Sequence, residues 1–107
     1  EQVKCYQERH LFGLNGGKTF CPKIHVDNEI SPRATVIEIQ ASQKIGLSYQ
    51  IARTFGELGL KIIFAKLATE KSHAFDVFYV ENSQGRKVLG SGIIGQISDR
   101  LLAEVSG

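Results

Sequence analysis

Gly90, Gly92 and Gly95 spell G-x-G-x-x-G within "RKVLGSGIIGQISDRLL". Glycines so spaced can turn a strand into a helix and bring backbone amides against a pyrophosphate. A dinucleotide site also needs a further strand after the helix, and an acidic residue about twenty positions on. Only twelve residues follow Gly95, enough for one helix. Gly90 and Gly92 therefore read as a flexible lead-in, Ser91 as a helix cap and Gly95 as a small residue allowing close sheet contact.

The other chemistry-bearing groups meet similar objections. "GLNGGKT" (13–19) lacks the first glycine of a phosphate loop, since Phe12 stands there, and "FCP" follows where a helix should begin. Cys5, His10, Cys21 and His25 offer four zinc-ligand types in the unusual spacing C-x4-H and C-x3-H. If residues 21–25 are extended, Cys21 and His25 lie roughly 13 Å apart. That is too far for two ligands of one tetrahedral zinc without a bend. His73 and Asp76 share a strand, but an i, i+3 pair points to opposite faces. Ser91 has no evident base, and Asp99 and Glu104 sit on a helix where exposed charge is the rule. No catalytic residue, metal site or cofactor is expected.

Bulk composition narrows the class. With 107 residues the chain is one domain, or one domain with an extension. It can bury roughly 60–65% of its unfolded surface. Apolar residues make up 42% and charged residues 22%, ordinary globular values. Thirteen basic and 11 acidic residues are dispersed, for a net charge of +2, which gives no clustered basic face for nucleic acid. No apolar run reaches bilayer-spanning length, so no membrane association is expected. Two cysteines without a disulfide pattern make a reducing cytoplasm the simplest setting. Glu1 in place of Met suggests a piece of something longer.

The elements that must position any site follow from periodicity. Residues 1–22 show no sustained period and read as an N-terminal arm or linker, with the domain over 23–107. Ile24 and Val26 alternate with polar neighbours, as do Ile37, Ile39 and Ala41, with a Pro32-containing turn between: two strands, a hairpin. Leu47, Ile51, Phe55 and Leu58 then repeat at helical spacing, ending at Gly59 in a capping position. Gly56 inside that helix suggests a close contact. "LKIIFAKLAT" and "HAFDVFYVEN" read as strands joined by a short link at 70–72, and "NSQGRK" as a turn. Ile94, Ile97, Leu101 and Val105 make a second helix. The order is an α+β, ferredoxin-like two-layer sandwich: a four-stranded antiparallel sheet with two helices on one face. The leading strand 23–28 takes the place of the usual last strand, giving the order leading, first main, third, second.

The segments "PKIHVDNEIS", "ATVIEIQA", "GLSYQIARTFGELGL", "AKLAT" and "DVFYVENSQGRK" carry a resemblance over Pro22 to Val105. In order and spacing the chain resembles an ACT domain. Most of all it resembles the C-terminal ACT domain of the uridylyltransferase/uridylyl-removing enzymes that modify the PII nitrogen-signalling protein. The resemblance implies a regulatory module that binds an amino-acid effector, glutamine in those enzymes. It also implies pairing with a second ACT domain, as a homodimer or otherwise. Catalysis would reside in domains absent from this chain.

The expected effector site is the loop from the first main strand into the first helix: Gln43, Lys44, Ile45 and Gly46, with the amides of Leu47 and Ser48 receiving a carboxylate at the helix start. A glycine at 46 leaves the backbone open to a ligand. Phe64, Ala65 and Lys66 on the next strand are expected to line the other side. The family loop commonly reads D-R-P-G-L, and this chain departs from it with Gln43 and Ile45. Two other readings therefore stand beside sensing: an ACT-type interaction module that pairs without ligand, and a free-standing enzyme or nucleotide binder.

"LKIIFAKLA" is apolar on both faces, Ile62 and Phe64 on one, Ile63 and Leu67 on the other. Helices cover one face only, so the strand bulges or twists, or else the arm or a second domain covers the other face. Deleting residues 1–20 is expected to lower the melting temperature or change the mass in solution; a variant unaltered in both excludes the arm as the cover.

Overall fold

A computed structural model describes residues 21–106. The arm proper and the glycine-rich "GLNGGKT" lie outside the described residues, as do Cys5 and His10. Five strands and two helices follow in the order β1 (Lys23–Asp27), β2 (Thr35–Ser42), α1 (Leu47–Glu57), β3 (Lys61–Lys66), β4 (Thr69–Glu70), β5 (His73–Glu81) and α2 (Ser91–Ser106). The sheet is antiparallel in the order β1-β2-β5-β3, with the short β4 also on β5. The leading strand does take the fourth place, beside β2.

Alternation sorts the side chains. Ile37, Ile39 and Ala41 of β2 pair with Phe78, Asp76 and Ala74 of β5, so all six share the face that carries the helices. Ile24 and Val26 of β1 join that layer opposite Ile39 and Ile37. Leu47, Ile51 and Phe55 of α1 and Ile97, Leu101 and Val105 of α2 close the core from above. Phe55 stands edge-on to Phe78 at 5.1 Å between ring centroids. Burying a side chain of that size contributes about 1.5–3 kcal/mol.

Helix α1 ends in a Schellman motif. The Leu60 amide donates to the Phe55 carbonyl at 2.9 Å and the Gly59 amide to that of Gly56 at 3.0 Å, with Gly59 left-handed at φ 76°. The expected close contact at Gly56 is not there, nor is one at Gly95: a Cβ at either would meet nothing within 4 Å. Ser91 is the first helical residue of α2, not its cap; Gly90, at φ 106°, offers its carbonyl to the Ile94 amide at 3.0 Å.

Strand β3 contains a bulge. Ile62 pairs with Val80 while Phe64 pairs with Tyr79, leaving Ile63 extra. One added residue turns the strand over, so Phe64 lies with Tyr79 on the open face, their rings 5.6 Å apart, and not on the face of Ile62. The apolar run on both faces is thus a bulged edge strand, with Ile63, Phe64 and Leu67 about half exposed.

A polar knot fastens the sheet's far side. The Thr35 hydroxyl donates to the Asn28 side-chain oxygen at 2.6 Å and accepts the buried Val88 amide at 2.8 Å. Asn28 returns its amide to the Val88 carbonyl at 2.9 Å, and the Lys87 ammonium caps the Asn28 carbonyl at 2.6 Å. Thr35→Val leaves those buried groups without partners, and its expected cost is about 1–3 kcal/mol in urea unfolding. Thr35→Ser, which keeps the hydroxyl, should recover most of it.

Candidate functional site

The loop after β2 is pinned at both ends. The Gln43 amide donates to the Ser72 carbonyl at 2.8 Å, and the Leu47 amide to the Lys44 carbonyl at 3.2 Å. Gly46 caps α1 in the left-handed conformation at φ 82°, ψ 3°, without a side-chain cap. A Cβ there would meet nothing within 4 Å. The glycine is therefore demanded by its dihedral, and the space before the helix is open. Ile45 is wholly exposed at 103% and packs on nothing; Leu47 is buried in the core at 1%.

That geometry narrows which amides can meet an anion. The Leu47 N–H is already taken, and the Gln50 N–H donates to the Gly46 carbonyl at 2.9 Å. Ser48 and Tyr49 then supply the first-turn N–H groups that have no helical acceptor, at the positive end of the helix dipole. Both residues are exposed.

What stands beside the loop is the tip of the β4–β5 hairpin. Lys71 and Ser72, at φ 52° and 69°, are its two central residues between the paired Glu70 and His73. Two positive φ values mark a type I′ turn, here built without glycine and so at some strain. Phe64 and Lys66 pair with Tyr79 and Val77. Val77 lies four residues along β5 from His73, about 13 Å of strand. The loop, which continues from β2, and the 64–66 segment of β3 thus lie at different levels and on opposite sides of β5, with Phe64 and Lys66 on the open face and Ala65, opposite Phe78, on the helix face.

Two residues that spacing alone dismissed have particular environments. Glu104 is half-buried and ties the helices: it accepts the Gln50 side-chain amide at 3.1 Å and Arg100 at 3.3 Å, and Arg100 also bonds Glu57. Gln50, one turn after Gly46, thus links the start of α1 to the end of α2. Asp76 is 4% exposed and lies on the helix face between Ala74 and Phe78. Its Oδ1 accepts the Ala68 amide at 3.3 Å. Ala68 spends its N–H on the side chain, and the edge ladder is interrupted between β3 and β4. The alternation that makes Ala74, Phe78 and Val80 one face already included Asp76.

Burial pushes the Asp76 carboxyl above the ordinary carboxylate value, against the lowering effect of the Ala68 amide. At the other extreme, the Glu29 and Ile30 amides lower Asp27, and Gln50 with Arg100 lowers Glu104.

Elsewhere, a cleft of about 300 Å³ opens at the opposite end of the molecule, between Leu58, Leu60, Leu89, Ile93 and Ile97. Cys21 is a half-buried free thiol, and His25 is exposed, 3.6 Å from Asp27. Among the described residues, no group of three or more His, Cys, Asp or Glu could hold a metal, and no helix is long and apolar enough to cross a membrane.

Two outcomes follow for stability. Gly46→Ala is expected to cost about 1–2 kcal/mol in urea unfolding, because a Cβ strains the left-handed backbone; Gly46→Asn should cost less. Because the native state holds the Asp76 proton more tightly than the unfolded chain, stability should decline as pH rises from the ordinary carboxylate range through the raised value. Asp27 and Glu104 act oppositely, their contribution being lost as pH falls below that range. Melting curves across pH should show the upper decline flattened in Asp76→Asn, which should melt no lower than the wild type at neutral pH.

Known proteins are similar to this sequence. A family profile described as "ACR9-like, ACT-like domain" matches residues 23–107. The bifunctional uridylyltransferase/uridylyl-removing enzyme of Azospirillum brasilense is 40% identical over 81 residues, 76% of this chain and 9% of that protein. Its counterpart in Phenylobacterium zucineum is 33% identical over 94 residues, 88% of this chain and 10% of that one. The ACT domain-containing protein ACR10 of Arabidopsis thaliana is 36% identical over 98 residues, 90% of this chain and 23% of that protein. The chain thus spans about a tenth of the two uridylyltransferases and about a quarter of ACR10. No solved structure matches significantly.

Proposed function

This chain belongs to the ACT-like domain family, and we propose that it is a regulatory module that senses an amino acid and reports it by pairing with a second ACT domain. Residues 23–107 would form the module, and residues 1–22 an arm leading into it. Any nucleotidyl chemistry of the kind the uridylyltransferase relatives are named for would lie in other parts of a longer protein.

The observation that carries the sensing half is the start of α1. A left-handed Gly46 leaves open space before the first turn, where the Ser48 and Tyr49 amides and the helix dipole favour a carboxylate. Lys44 stands in the same loop. Gln43 in place of the family's acidic residue removes a loop partner for an ammonium group. The effector is thus an amino acid whose identity the loop alone does not choose, glutamine included.

A separate observation favours pairing. β3 is an edge strand with unpaired backbone groups and two half-exposed large apolar side chains, Ile63 and Phe64, with Leu67 directly after it. Such an edge invites another strand. Pairing without ligand is the second reading that this edge supports. A ligand would drive or break the pair only insofar as it binds one state better than the other.

Calorimetry with a panel of amino acids distinguishes the two. Saturable binding that is weakened at least about tenfold by Gly46→Val but retained in Gly46→Asn supports sensing; no heat across the panel leaves the interaction module. Light scattering tests the pairing half: the chain should be a dimer, and Phe64→Lys should make it a monomer.

A further inference from the structure

Both helices pack on one face of the sheet, and among the described residues no helix or strand covers the other. Alternation and register place Val36 of β2, Phe75, Val77 and Tyr79 of β5, and Phe64 of β3 on that open face. They form an apolar stripe across three strands. Lys23, His25 and Asp27 border it on β1, and Lys61 and Lys66 on β3. An antiparallel sheet with a solvated face normally turns polar residues toward it. Here Val36 is 1% exposed although it lies outside the helix-side core.

Two depressions mark the stripe. One, of about 190 Å³, lies over Gln40, Phe75 and Val77. The other, of about 250 Å³, lies beside Phe64 and Tyr79. The first stands in the row where the preceding chain joins the sheet, because Lys23 pairs with Gln40 and Gln40 with Phe75. Pro22 brings no N–H with which to continue the β1 ladder beyond Lys23. From β1 to β5 is two strand spacings, about 10 Å, and the three residues from Lys23 back to Phe20 span about the same. Phe12 and Leu14 lie beyond Gly16 and Gly17, which permit a chain reversal. Six residues separate Leu14 from Phe20, up to about 20 Å of chain, against about 13 Å from Phe75 to Tyr79.

We propose that the open face is the docking surface for residues 1–20 of the same chain, with Phe20 over Phe75 and Val77 and the Phe12–Leu14 segment toward Phe64 and Tyr79. A second copy of the chain is the weaker occupant. The apolar stripe measures about 13 Å by about 14 Å, on the order of 200 Å², whereas a stable interface takes roughly 800 Å² from each partner. Charged residues border it on both sides. A segment tethered three residues away is presented at about millimolar effective concentration, with no association step to offset. With its own segment on this face, the domain keeps the β3 edge for pairing. The assignment stands apart from the sensing reading.

The test places a nitroxide on the full chain at Asn15→Cys, with Cys5→Ser and Cys21→Ser, and reads methyl resonances with the label oxidised and reduced. The Val36 and Val77 methyls should lose intensity in the oxidised state, and Val105, on the helix face, should not. Equal loss on both faces, or none, overturns the proposal. A mixture of isotope-labelled chain without nitroxide and unlabelled chain with it should show no loss. Loss at Val36 and Val77 in that mixture assigns the face to a second copy and overturns the proposal. Phe20→Leu supplies a readout free of the label: removing the ring should shift the Val77 methyl resonances, and unmoved resonances overturn the placement of Phe20.

Discussion

The domain depends on one hydroxyl. Thr35 begins β2, and through its Oγ1 it holds Asn28 at the start of the β1–β2 turn and Val88 in the link before α2. Without that knot β1 would be a five-residue edge strand joined to the sheet by one ladder. With it, the turn and the link are fixed to each other across about sixty residues of sequence. The slot that a last strand would otherwise fill is closed from the opposite end of the chain. Ile24 and Val26 then complete the layer beneath α2. The turn after β1 is anchored by Asp27, whose Oδ1 accepts the Glu29 and Ile30 amides, and the turn after β5 by Asn82, whose Oδ1 accepts the Gln84 and Arg86 amides.

The other corner is kept open by the same economy of backbone. α1 is bounded by two left-handed glycines, Gly46 and Gly59, but they serve opposite ends of the problem. Gly59 satisfies the last carbonyls in a Schellman motif and closes the helix. Gly46 starts it without a side-chain cap, which leaves the Ser48 and Tyr49 amides without a helical acceptor. The Gln50–Glu104–Arg100–Glu57 network lies just behind. It stiffens the joint between the helices, while the loop in front of it has few packing contacts, as Ile45 shows.

Sequence patterning read the architecture because it depends on alternation: Ile37, Ile39, Ala41, Leu47, Ile51 and Phe55 reveal their faces by period alone. It could not place Phe64, since one extra residue at Ile63 reverses every side chain after it. Nor could it find the Thr35 knot, whose members are brought together only by the fold. The separate strand β4 follows a break at Ala68, whose amide goes to the Asp76 side chain, a contact that only the fold creates. Asp76 was legible in principle, as the polar member of a buried face; pairing it with His73 by sequence proximity hid that. The loop was legible as a loop, but which amides remain free depended on where Lys44 turns its carbonyl.

The ladder break at Ala68 and the apolar edge of β3 adjoin each other, whereas the loop before α1 follows β2, on the other side of β5, and is held by the Lys71–Ser72 turn. At that break the Ala68 N–H goes to the Asp76 carboxylate, while its carbonyl still accepts the Phe75 amide at 2.8 Å. A strand added to this edge would therefore find its ladder in β3 itself, where the bulge at Ile63 turns Phe64 onto the open face.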